Sequence, residues 1–139
     1  MVNVPFRDQT AGIPYQWSET IGADDGALVT GNEPALLTVD QVVAPGQTLA
    51  ALTVVGFDAN GRIVAATDAV KAVGVLVVAV TTAAGETVGA PVYRAGCLNP
   101  DRLVWDGSLS TEAERINAFE GAPSPTAIVL RRPKSAQVV

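Results

Sequence analysis

Hydrophobic positions fall in short clusters along this chain, and from Ala72 to Val80 they run unbroken: AVGVLVVAV carries no charged or hydrogen-bonding side chain. A membrane-spanning helix needs about 20 apolar residues, and this run stops at Thr81-Thr82. A buried helix is disfavoured, because Val73, Val75, Val77, Val78 and Val80 are stiff about χ1 and Gly74 weakens a helix further. A strand covered on both faces has no need of polar alternation and fits best. The pattern predicts the central strand of the core over 72–80.

Around it the pattern predicts more strands. Pro45-Gly46 marks a turn, and Thr48 to Phe57 reads as one or two strands. Asn60-Gly61 favours a tight hairpin, with Arg62 to Ala66 returning. Thr67-Asp68 leads into the apolar run, Ala84-Gly85-Glu86 turns again, and Thr87 to Arg94 forms a further strand. Pro91 places that strand at an edge or a bulge. One short helix stands out. Thr111 with Glu114 suits a capping box, Ala113, Ile116 and Phe119 share a face, and Gly121 suits the C-terminal cap. After Pro123 and Pro125, Thr126 to Leu130 reads as a closing strand.

Composition narrows the class. At 139 residues the chain suits one domain, and with 48% hydrophobic but 5% aromatic residues its core is built mainly from Val, Ala and Leu. A net charge of -5 gives no general attraction to nucleic acid or an anionic membrane. There is no His, the commonest general base and metal ligand. The single Cys97 allows neither an intrachain disulfide nor a cysteine-rich zinc site, so no cofactor is expected. MVNVPFRDQT lacks the basic stretch and apolar run of a secretory signal.

The candidates for chemistry are few. A Cys97 nucleophile would need a base to form its thiolate, and no His can serve. Ser108 and Ser110 lie in DGSLSTE, a helix-capping stretch without the paired glycines of a nucleophile elbow. Asp58, Asn60 and Gly61 match part of a calcium loop, but Thr67 stands where the closing Glu belongs, so a plain hairpin turn is expected. Asp24-Asp25-Gly26 reads as a turn rather than a paired-carboxylate site. An enzyme is not expected.

Residues 1–34 differ from the rest. Apolar residues are scattered, three of them aromatic, with neither helical nor strand periodicity, and Pro5, Pro14 and Pro34 interrupt it. Fixing such a segment costs about 1–2 kcal/mol per residue, more than its few apolar groups recover on a small body. It reads as an extended arm held by an external partner, ahead of a β-rich body at 35–130 and a basic tail at 131–139.

KAVGVLVVAVTT, then VYRAGCLN, RLVW and STEAERINAFEGAPSPTAIVL follow one another in an order and spacing that resemble the lambda-type phage head decoration proteins. PGQTLAALTVVGFDANGRIVA resembles the family's first hairpin more loosely. The resemblance covers about residues 35–130 and implies a mainly β fold: a compact β-clip-like body, one short α-helix near the C-terminus and an extended N-terminal arm. It further implies a non-enzymatic homotrimer on the outer surface of an expanded head. There it would sit at local three-fold positions and hold the major capsid protein against internal DNA pressure, after assembly in the host cytoplasm. Val4, Phe6, Ile13, Tyr15, Trp17 and Ile21 are the arm's expected coat contacts. Val75, Val77, Tyr93, Trp105 and Phe119 are assigned to the core or the trimer interface. Arg131, Arg132 and Lys134 are candidates for a salt-sensitive contact with coat or neighbouring trimers. The alternative is a surface-displayed glycan-binding β module using the arm aromatics as sugar platforms.

Overall fold

The valine-rich run does form a strand covered on both faces, but a shorter one than its apolar length. The computed structural model describes residues 27–133, with the strands β1 (Val29–Gly31), β2 (Leu37–Val43), β3 (Thr48–Leu49), β4 (Val54–Phe57) and β5 (Ile63–Ala65). These are followed by β6 (Ala72–Leu76), β7 (Val80–Thr81), β8 (Val88–Leu98), a 3-10 turn (Pro100–Arg102), helix α1 (Glu112–Asn117) and β9 (Ala127–Leu130). All five residues of β6 are buried. Past Leu76 the chain bends, and Val80–Thr81 pairs instead with β3. The single strand expected over 72–80 is therefore two.

The break has a cause in β8. The β6–β8 ladder ends at Leu76 opposite Val92, where Val77 N still donates to Pro91 O at 3.0 Å. In a strand the N–H and C=O of one residue point to the same side, so the N–H that Pro91 lacks would have faced β6. With no donor there the pairing stops, and Val78 turns out to solvent. Pro91 thus lies inside β8, opposite Asp40 of β2, and not on an edge strand.

β8 organises the sheet. The hydrogen-bonded order β8-β2-β5-β4-β6 returns to β8 and closes a barrel-like ring, while the C-terminal part of β8 pairs with β1 on one side and β9 on the other. Two apolar clusters result. Val43, Val55, Ile63, Val73, Leu76 and Val92 fill the first. Val54, Val75, Leu98, Leu103, Leu109 and Ala118 form the second, beneath the helix. β4 and β6 feed both, which is why neither shows polar alternation.

Local grammar otherwise follows expectation. Gly61 takes φ +76° at the β4–β5 hairpin, and Asp58 Oδ1 accepts from Asn60 N at 2.8 Å and Arg62 N at 2.9 Å, so this carboxylate braces the turn. Thr111 and Glu114 form the reciprocal capping box. The helix's buried side, however, is not Ala113 and Ile116, which are both exposed. Six residues make fewer than two turns, and contact with the core passes to Ala118 and Phe119 just beyond the helix.

Candidate functional site

The C-terminal end of β8 gathers both ends of the described chain. The sequence there is Leu98-Asn99-Pro100. Proline supplies a preset φ at the start of the 3-10 turn, and Asn99 caps it, its Oδ1 accepting from Asp101 N at 3.1 Å. Asn99 is fully buried. Its backbone N–H donates to Leu28 O at 2.7 Å and its Nδ2 to Ala27 O at 3.1 Å, fastening the incoming segment. On the other side Arg131 N donates to Leu98 O at 2.8 Å, and Thr30 Oγ1 donates to Arg131 O at 2.7 Å. The first and last described stretches, at Ala27–Leu28 and Arg131, therefore meet at one corner of the body.

The basic tail is partly committed within its own chain. Arg132 donates to both oxygens of Asp101, Nε to Oδ2 at 2.9 Å and Nη2 to Oδ1 at 3.1 Å, and through Nη1 to Glu112 Oε2 at 2.7 Å. This ties the segment after β9 to the 3-10 turn and to the helix start. The Arg132 hydrogen bond and charge hold the Glu112 carboxyl below its ordinary range, and Glu112 and Asp101 in turn raise Arg132. All three are about half exposed, so the cluster sets orientation more than stability. Arg131 continues the β9 pairing through its backbone; Lys134 lies outside the described residues.

The remaining predicted residues divide cleanly. Val4, Phe6, Ile13, Tyr15, Trp17 and Ile21 lie outside the described residues, as does Asp24-Asp25-Gly26. Val75 is fully buried in the second cluster, with Tyr93, Trp105 and Phe119 packed partly buried against it. Trp105 and Phe119 meet edge to face, with ring centroids 6.3 Å apart. Trp105 Nε1 donates to Pro100 O at 3.0 Å, and the Arg115 guanidinium lies 5.3 Å over the indole. Val77 stands apart, half-buried at the β6 bend. Cys97 is buried beside Thr30, with Sγ 3.5 Å from Oγ1.

Sequence reasoning missed the buried polar side chains, Thr53, Thr82, Arg94 and Asn99 among the described residues. Asn99 had a readable signal in the Asn-Pro pair that opens a turn. Arg94 had none. It is 4% exposed, bound to Thr126 and Pro123 O and stacked over Phe57 at 5.4 Å, and burial lowers its pKa. Among the described residues no carboxylate pairs with it.

The buried Arg94, the capping Asn99 and the Asp58-braced hairpin turn are each engaged in holding the fold together. What the site does provide is a hydrogen-bonded corner where Ala27 and Leu28 on one side and Arg131 on the other meet the end of β8. The model of the family described as bacteriophage lambda head decoration protein D matches residues 19–124, most of the chain. Among curated proteins no match was found. The extent of the match settles the kinship: this chain belongs to the bacteriophage lambda head decoration protein D family.

Proposed function

We propose that this protein is a structural component of a phage virion that binds the outer surface of the expanded head as a homotrimer and cements its coat subunits against the pressure of packaged DNA. The observation that carries the reading is the family match over 19–124. A ligand that binds only the assembled lattice stabilises that lattice by mass action. Three-fold repetition makes each weak contact benefit from its tethered neighbours. The meeting of Ala27 and Arg131 at the Asn99 corner supports a single contact face that carries arm and tail together. In this reading Val4, Phe6, Ile13, Tyr15, Trp17 and Ile21 anchor the arm on coat protein, and Arg131 with Lys134 adds a salt-sensitive contact.

The test is a comparison of two lattices. Purified protein added to expanded heads should bind saturably, with three copies per local three-fold position, and should bind unexpanded heads far more weakly. Equal binding to both, or none to expanded heads, refutes the reading.

A further inference from the structure

Asn60-Gly61 is the one Asn-Gly pair in the chain, and the pair has a chemistry beyond its preference for tight turns. The backbone nitrogen that follows an asparagine can attack the side-chain amide carbon, and a glycine there offers no side chain to hinder the approach. The other asparagines are followed by Val4, Glu33, Pro100 and Ala118. Pro100 has no N–H to supply, and the other three carry a Cβ. Asn60 and Gly61 are both exposed, so water reaches them. Among the described residues no hydrogen bond restrains the Asn60 side chain.

The fold opposes the attack. Gly61 N, the attacking atom, donates to Asp58 O at 3.1 Å. Asn60 N and Arg62 N both donate to Asp58 Oδ1, at 2.8 Å and 2.9 Å, and fix the backbone on either side of Gly61 N. Asp58 N donates to Arg62 O at 2.8 Å, closing the loop where Phe57 pairs with Ile63. Ring closure must turn the Asn60–Gly61 peptide until its nitrogen meets Asn60 Cγ, which breaks the bond to Asp58 O. The attack also needs Gly61 N to lose its proton, and the Asp58 carboxylate nearby disfavours the negative charge.

We propose that Asn60 is a site of spontaneous deamidation that the folded hairpin keeps closed, with Asp58 as the positioning residue that withholds Gly61 N. When the turn opens, Gly61 N gives its proton to hydroxide and bonds to Asn60 Cγ. The Cγ–Nδ2 bond breaks, and the nitrogen leaves as ammonia with a proton taken from water. A second water then splits either C–N bond of the cyclic imide, giving aspartate or isoaspartate at position 60. Both products add a negative charge close to Asp58 in a chain of net charge -5. Isoaspartate also lengthens the main chain by a methylene inside the loop. Both changes oppose re-closure, so the modification is a one-way record of hairpin opening.

Peptide mapping by mass spectrometry, with isoaspartate detection, tests this on the full chain incubated at mildly alkaline pH. Position 60 should deamidate at least about tenfold more slowly in the folded parent than in the same chain unfolded in guanidinium. Asp58→Ala, which removes the brace, should raise the rate in the folded chain severalfold. Asp58→Asn keeps an acceptor oxygen without the charge, so its rate should fall between those two and serves where Asp58→Ala does not fold. Thr111→Ala, which removes the helix cap and leaves the hairpin's bonds intact, should match the parent. Equal rates in folded and unfolded parent overturn the proposal. So do Asp58 variants no faster than the parent. A Thr111→Ala chain that gains as much as Asp58→Ala also overturns it, because global unfolding then sets the rate.

Discussion

Buried Arg94 and half-buried Thr126 form a pair in which one hydroxyl serves a whole guanidinium edge. Thr126 Oγ1 accepts from Arg94 Nε at 3.0 Å and Nη2 at 2.7 Å, and donates to Val73 O at 3.0 Å. The hydroxyl thus fastens the approach to β9 onto β8 and β6. Thr126→Val keeps the shape and removes all three bonds, leaving a buried cation short of acceptors. We expect a loss of about 1–3 kcal/mol in urea unfolding. A Thr126→Ser variant, which keeps the hydroxyl, should recover most of it.

Gly74 sits where two backbones meet. A Cβ there would lie 2.4 Å from Tyr93 O and 2.6 Å from Val92 Cγ1, and neither belongs to a flexible end. Gly74→Ala should cost about 3 kcal/mol or more, because the β6–β8 pairing must shift to admit the methyl. Gly107→Ala is the control. Nothing lies within 4 Å of that Cβ, and thermal unfolding of this variant should stay close to that of the parent.

Acid should weaken the helix end first. Glu114 is held below its ordinary pKa by the backbone N–H groups of Thr111 and Ser110, Glu112 by Arg132, and Asp106 by Ser108. A carboxylate depressed in the folded state contributes stability above its unfolded pKa and loses it as pH falls through the folded one. Urea midpoints should therefore decline from the ordinary carboxylate range downward. In Glu114→Gln the midpoint at neutral pH should be lower and the acid decline shallower. A parallel decline in parent and variant would contradict this account.

The two tail arginines should behave differently. Arg132 is bound to Asp101 and Glu112, whereas Arg131 is fixed through its backbone alone among the bonds described above. If the tail meets an acidic coat surface, Arg131→Glu should weaken head attachment more at low salt than at high salt. Asp101→Asn/Glu112→Gln, which frees Arg132, should strengthen attachment at low salt. Salt-independent affinities would remove the tail from the contact.

Much of this was legible in the chain. The NG hairpin, the Thr111–Glu114 box and the both-faces-buried character of 72–76 follow from residue type and spacing, because each depends on neighbours in sequence. The strand break at Val77 was not legible, because its cause is Pro91 on a different strand. The helix face was misread because six residues are too few for periodicity to choose a side; Ile116 lies out and Phe119 in. Arg94 gave no warning, since its partners Phe57 and Thr126 lie far from it in sequence, on either side. The corner at Asn99 was half visible as a turn signal, but its hold on Ala27 and Leu28 is a tertiary event.

Because β8 belongs at once to the closed ring and to the side ladder with β1 and β9, neither part has a private backbone to fall back on. Heat that frees the side ladder strips the ring's longest staple, and heat that opens the ring removes the strand on which the side ladder is paired. Such wiring leaves no stable halfway form, so calorimetry should record a single transition whose van't Hoff and calorimetric enthalpies agree.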